Sequence, residues 1–169
     1  SLEDGPVAQI GDATYQTLAE AVGAVAAENA VDPTVITLLK DTDESITIAS
    51  GQNIELVLNG HTLTNVSGRD TITVALGGAL TVTGTGTVDN VSHQCASVFN
   101  NGTTVLSGGN YTRSQEASTT TENANGNSYY NIVNHGNMTI CGGVEVTSVG
   151  AFSSLIDNGY YNYGSTNPR

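Results

Sequence analysis

The side chains able to move protons, hold metals or attack bonds are few and scattered. Lys40, Arg69, Arg113 and Arg169 are the only basic residues. A lyase acting on uronates needs a base to take the proton, usually beside calcium or further Arg and Lys that neutralise the carboxylate. Arg69 and Arg113 are the only candidates inside the repeats described below, and neither has a basic companion in sequence. A glycoside hydrolase needs two carboxylates facing one groove. Asp70 and Asp89 are available by type, as are Asp41, Asp43 and Glu44. The corner Asp41-Thr42-Asp43-Glu44 also offers oxygens to calcium. It lacks the glycine-spaced pattern of a calcium loop, and its residue types are those of a solvated acidic turn. His61, His93 and His135 fall in different contexts and make no metal constellation. Cys95 and Cys141 match no metal spacing and are too few for a disulfide framework, so they read as small, buried or half-buried thiols. The expectation is a chain with no catalytic set, no metal and no cofactor.

Bulk charge narrows the partners. Sixteen Asp and Glu against four Lys and Arg leave a net charge of -12 over 169 residues. Nucleic acid demands clustered cations that displace counterions from phosphates, so nucleic acid is excluded as a partner. An anionic membrane surface is disfavoured for the same reason. No run reaches the ~18 apolar residues that span a bilayer. Charged residues are few and Thr, Ser, Asn and Gly are many, a style found in extracellular β-proteins. The start at Ser1-Leu2-Glu3-Asp4 carries no signal peptide, so a removed leader or a later start is expected.

The elements that would position these residues are mostly strands. Val7–Gly11 reads as a short strand closed by a turn at Gly11-Asp12. Thr17-Leu18-Ala19-Glu20 is a capping box, in which the Thr17 hydroxyl and the Glu20 carboxylate satisfy opposing backbone amides. Leu18, Ala21, Val22 and Val25 then fall on one helical face, predicting a helix over 17–28 that ends before Asp32-Pro33. After Pro33 the period changes to two. Val35–Leu39, Ile46–Ile48 and Ile54–Leu58 read as strands separated by polar or glycine corners, the mark of an all-β fold.

An internal repeat is decisive for the fold. Leu76–Gly84, Asn100–Gly108 and Asn134–Gly142 share one pattern, joined by Asp157-Asn158-Gly159. The turn glycines Gly78, Gly102, Gly136 and Gly159 are separated by 24, 34 and 23 residues. Such a period means a solenoid whose coils cover one another's apolar faces. The long interval holds a polar stretch at 114–127, expected to project as a loop. Stacking would place Val82, Leu106 and Ile140 in an inward ladder, with Thr81 and Thr139 outward. The face of Leu18, Ala21, Val22 and Val25 would then cover the first coil as a lid. The predicted fold is an all-β, right-handed parallel β-helix solenoid with an N-terminal capping α-helix. Residues 1–34 form its cap and residues 35–169 its coils. Because the last repeat breaks off at Gly159-Tyr160-Tyr161, a fragment is expected, or an open C-terminal edge that self-associates by strand addition.

Two further sets of residues stand out. Asn100, Asn134 and Asp157 precede the turn glycines and read as a ladder whose side chains bond the corner backbone from coil to coil. Tyr129, Tyr130, Tyr160, Tyr161 and Tyr163 cluster late in the chain and form a candidate contact surface, by stacking on sugars or by amphipathic burial against protein.

These residues also carry a resemblance. Ala8-Gln9-Ile10-Gly11-Asp12 with Tyr15–Val22, then Ile36–Asp41, Leu56–Leu63 and the repeated Leu-Thr-Val-x-Gly and Met-Thr-Ile-x-Gly-Gly steps, resemble secreted and surface proteins of Gram-positive bacteria, common in gut Firmicutes. Those proteins carry right-handed β-helix repeats of the pectin-lyase-like superfamily. The resemblance covers nearly the whole chain and implies a cell-surface or secreted location. The superfamily includes polysaccharide lyases and glycoside hydrolases, but none of the carboxylates here stands in the Asn-Thr-Asp, Asp-Asp or Arg-Ile-Lys patterns of its hydrolases. Related solenoids also decorate phage particles. The leading expectation is a non-enzymatic extracellular structural or adhesive module that displays loops toward a glycan or a host or partner protein. A virion decoration or fibre comes next, and a polysaccharide-active enzyme third.

Overall fold

The computed structural model describes residues 5–115, 130–149 and 154–159. It is mostly sheet, with one short helix among the described residues. An antiparallel hairpin, β1 (Ala8–Ile10) and β2 (Ala13–Tyr15), turns at Gly11, and α1 (Leu18–Gly23) follows. Strands then come in triplets. The first is β3 (Thr34–Leu38), β4 (Thr42–Asp43) and β5 (Ile46–Ile48). The second is β6 (Asn53–Val57), β7 (Thr62–Thr64) and β8 (Ile72–Val74). The third is β9 (Ala79–Thr83), β10 (Thr87–Asp89) and β11 (Val98–Asn100). The fourth is β12 (Thr103–Leu106), β13 (Asn110–Arg113) and β14 (Ile132–Asn134). The fifth is β15 (Asn137–Ile140), β16 (Glu145–Ser148) and β17 (Ile156–Asn158).

From β3 onward every strand pairs in parallel with the strand three places on. The result is three parallel stacks, none closed on itself: β3-β6-β9-β12-β15, β4-β7-β10-β13-β16 and β5-β8-β11-β14-β17. The register matches the glycine spacing. Thr81 lies beside Val105, 24 residues on, and Val105 beside Thr139, 34 residues on.

Alternation along each strand decides what is buried. Leu56, Val82, Leu106 and Ile140 are aligned in the first stack, and the first three are fully buried. Leu63, Val88 and Tyr111 do the same in the second stack, and Ile46, Ile72, Val98 and Ile132 in the third. Each such aliphatic side chain contributes about 1.5–3 kcal/mol on burial. No triplet could collect that alone, because its inner face is covered only by its neighbours.

The leading end is covered in two ways. β1 adds antiparallel to β3, with Ala8 opposite Leu38, and so covers the edge of the first stack. The helix covers the interior: Leu18, Ala21, Val22 and Val25 are all buried. The helix is shorter than the predicted 17–28 and ends at Gly23. Glycine is about 1 kcal/mol worse than alanine inside a helix. The buried Gln52 amide then donates to the carbonyls of Val22 (2.8 Å) and Val25 (2.9 Å), so the last turn does not depend on continued winding. Val25 still reaches the core from the segment that follows.

The glycine stack has a steric cause. Gly78, Gly102 and Gly136 sit at ordinary φ, but a Cβ on Gly102 would press into the carbonyl oxygens of Ala75 and Gly78. A Cβ on Gly136 would press into that of Gly102. Thr103 N–H donates to Gly78 O (3.0 Å) and Asn137 N–H to Gly102 O (2.9 Å), which holds successive corners this close.

Candidate functional site

The polar chemistry gathers on the second stack and at the corner that leads from it to the third. At the leading end, the three acidic residues of the 41–44 corner each bond to backbone. Asp41 accepts from Thr62 N–H (2.8 Å) and lies 3.3 Å from His61 Nδ1. Asp43 accepts from Val66 N–H (3.2 Å). Glu44 reaches across to the helix, where its two oxygens accept from Leu18 N–H (2.8 Å) and Ala19 N–H (2.9 Å). With the Thr17 hydroxyl accepting from Glu20 N–H (3.0 Å), Glu44 completes the helix N-terminus. A carboxylate on the exposed donors of a first helical turn is electrostatically favourable. Asp41, Asp43, Thr62 and Thr64 line an open groove of about 390 Å³.

Further along the same stack, Asp89 is buried and serves as an acceptor hub. It takes bonds from the hydroxyls of Thr64 (2.9 Å), Thr112 (2.5 Å) and Ser114 (2.8 Å), and from Ser114 N–H (3.0 Å). Thr64 and Thr112 belong to the triplets before and after it, so one carboxylate ties three successive strands.

The corner beyond β10 brings together residues far apart in sequence. Asn90, fully buried, donates to the carbonyls of Arg69 (2.7 Å) and Ala96 (3.1 Å) and accepts from Ser92 N–H (2.8 Å). Asp70 accepts from Ala96 N–H (2.7 Å). Burial pushes its carboxyl above the usual range, and the Ala96 bond only partly offsets this. Cys95 sits in the same electrostatic neighbourhood. Burial raises its thiol, the Asp70 charge raises it further, and Arg113 pulls the other way. Arg113 itself is 1 % exposed and donates to Ser92 O. Arg113 and Asp70, candidates from sequence, are thus both drawn into the corner's own structure, while Arg69 is exposed. A raised thiol is a poor nucleophile at neutral pH, and both cysteines are free. Among the described residues no group of three or more His, Cys, Asp or Glu is arranged to hold a metal.

The amide ladder forms, with one correction. Asn100 Nδ2 donates to Asn134 Oδ1 (2.8 Å), and Asn134 Nδ2 donates to Asn158 Oδ1 (2.7 Å). The third rung is Asn158, not Asp157. Ile156 stacks under Ile132, so alternation turns Asp157 toward the outer face beside Val133 and Asn158 inward. The turn-glycine alignment misses this because Gly159 lies one residue nearer its strand's inward position than Gly136 does. Asn100 also accepts from Gly102 N–H (3.1 Å) and from the buried Thr104 hydroxyl (2.8 Å). Ile48 and Val74 occupy the same row in the earlier triplets, so the row changes from aliphatic to amide partway along.

Of the tyrosine surface, only Tyr130 is described, and it is exposed. Tyr129, Tyr160, Tyr161 and Tyr163 lie outside the described residues, as does residue 116 onward of the 114–127 loop. Ser114, at the start of that loop, is fixed by Asp89. Tyr111, in contrast, is a core residue. Its hydroxyl donates to Gly108 O (2.9 Å), and burial raises its phenol far above the ordinary range.

No helix among the described residues is long and apolar enough to cross a membrane. No family model, no curated protein and no solved structure matches the chain.

Proposed function

We propose that the three stacks wind as one right-handed parallel β-helix, and that the chain is a non-enzymatic extracellular structural or adhesive module of the Gram-positive surface type it resembles. The winding is supported by the strand order, in which each strand's partner is the strand three places on. The role is supported by one observation above the rest: the carboxylates that the fold gathers are used as acceptors for its own backbone and hydroxyls. Glu44 holds the helix, Asp89 ties three strands, and Asp41 and Asp43 hold the next corner. A glycosidase needs two carboxyls set across one groove, whereas Asp41 and Asp43 each spend one oxygen on a backbone N–H of the next triplet. Their groove, with Thr62 and Thr64, instead offers a polar surface to sugar hydroxyls or to a protein partner.

The exposed rows of the trailing triplet support strand addition there by another chain. Ile140 and Ile156, in rows buried earlier, are 39 % and 42 % exposed there. The test is a screen of the purified domain against glycans and host-matrix proteins, run beside polysaccharide lyase and hydrolase assays. Binding that Asp41→Asn or Thr62→Val weakens, without turnover, is the expected result. Robust turnover of any polysaccharide would overturn the non-enzymatic reading.

A further inference from the structure

The three stacks begin on three leading edges, and the fold treats them differently. β3 is covered by β1. β4 is only two residues long, and extreme shortness is one protection for an edge strand. β5 has neither device. Ile46 N–H donates to Thr71 O (2.9 Å) and Ala75 N–H to Ile48 O (2.9 Å), so those groups face β8. Backbone groups alternate sides along a strand, which turns the N–H and C=O of Thr47 to the opposite side. No described residue bonds them there.

Beside that free edge runs a groove of about 250 Å³. Ala19, Val22 and Gly23 of α1 form one wall, and Ile46, Thr47 and Ala49 the other. Thr47 and Ala49 are exposed, and a Cβ on Gly23 would meet nothing within 4 Å. The groove is smaller than the roughly 300–1,000 Å³ of small-molecule sites and is open along the strand. Its walls are short. Ser45 and Gln52, which also line it, spend their side chains on backbone, which leaves the exposed Thr47 residue with its outward N–H and C=O as the polar groups on offer. An occupant must bring an extended backbone of its own. Charge narrows the choice further: in the described cap up to residue 39, Asp12, Glu20, Glu28 and Asp32 are exposed and there is no Lys or Arg. A second copy would bring the same negative cap against this one, whereas a cationic segment would be attracted.

We propose that the β5 edge and the α1 groove form a docking site for an extended peptide segment of a partner protein, added as a strand beside Thr47, with small or aliphatic side chains toward the groove and Lys or Arg at its ends. Main-chain bonds to Thr47 supply affinity, and the groove selects side-chain size, as in other strand additions. The site lies at the leading cap, apart from the acidic groove of the second stack.

The probe is a synthetic peptide, acetyl-Lys-Val-Ala-Val-Thr-Val-Lys-amide, compared with a version ending in Glu at both positions and with one N-methylated at alternate backbone nitrogens. Fluorescence anisotropy reads binding to the full chain, and amide exchange reads Thr47. The lysine peptide is expected to bind and to slow exchange at Thr47. The Glu-ended and methylated peptides should bind about tenfold more weakly or worse, the scale of one or two lost hydrogen bonds. Gly23→Leu fills the groove from a position with open space and should cause a similar loss with an unchanged circular dichroism spectrum. Thr47→Pro, which removes the free donor at an edge position that tolerates proline, should do the same. Unchanged exchange at Thr47, equal binding of the methylated peptide, or full binding by Gly23→Leu overturns the proposal. Concentration-dependent protection of Thr47 in the chain alone overturns it in favour of a second copy.

Discussion

Gly102 and Gly142 are both glycines near a corner, yet the space around them differs. A Cβ on Gly102 would collide with two backbone oxygens of the preceding triplet, while one on Gly142 would meet nothing within 4 Å. Backbone oxygens held by the ladder cannot move aside cheaply, and overpacking of this kind costs about 1–3 kcal/mol. Gly102→Ala should therefore lower stability by about that amount in a urea melt, and Gly142→Ala should leave the midpoint within error. Asp70 makes a second prediction at this scale, one of pH. Burial raises its folded carboxyl above the unfolded value of 3.8. The folded state then prefers the protonated form, so stability is fully present below the unfolded value and falls as pH rises through the folded one. Asp70→Asn keeps an oxygen that can accept from Ala96 N–H and removes the charge. It should melt higher than the natural chain at pH 7, and the advantage should vanish as pH falls below the ordinary carboxylate range. An advantage that persists at low pH would assign the effect to packing rather than to ionisation.

The helix shows what a single element takes from distant residues. Its six residues are too few to stand alone, because nucleation is costly and short helices are marginal in water. It is held by Thr17 at its start, by Glu44 from the corner after β4, and by Gln52 at its other end. Glu44→Ala should cost about 1–2 kcal/mol, as loss of a helix cap does. It should also speed amide exchange at Leu18 and Ala19 before exchange anywhere in the stacks. The alternation of Ile46, Ile48, Ile54 and Leu56, and the shared register of Val82 and Leu106, are local patterns, so the sheet class, the parallel stacking period and the helical face were legible from residue order. Glu44 as a cap was not, because 26 residues separate it from the Leu18 N–H it accepts. β2 and β4 were missed for a related reason. Ala13–Tyr15 and Thr42–Asp43 are largely exposed and too short to alternate visibly, and only their partners define them. Asp70, Cys95 and Arg113 come together at one corner by the same long-range pairing. No sequence spacing announces such a cluster.

At the scale of the whole chain, stability has a direction. Beyond the cap, each triplet is paired in the stacks with the triplets before and after it, so local opening free energy depends on how many neighbours cover it. β6 to β12 lie between covered neighbours, and their inward residues are fully buried or nearly so, from Ile54 and Leu56 to Leu106. β15, β16 and β17 have a described neighbour on one side, and Met138, Ile140 and Ile156 lose the enclosure that Thr104, Leu106 and Ile132 enjoy in the same rows. The buried Asn100–Asn134 bond is followed by the Asn134–Asn158 bond, where Asn158 is exposed, so the amide row weakens in the same direction. Hydrogen exchange should therefore be slowest in β6, β9 and β12 and quicken toward β17, with a gradient along the stack rather than one cooperative value. Leu106→Ala should cost about 2–5 kcal/mol, the range for a buried leucine, and Ile140→Ala in the same row markedly less. If strand addition at the trailing edge covers that row in solution, raising the protein concentration should slow exchange in β15–β17 and leave β6 unchanged. A trailing edge that exchanges at one rate over a hundredfold concentration range would rule out self-association there.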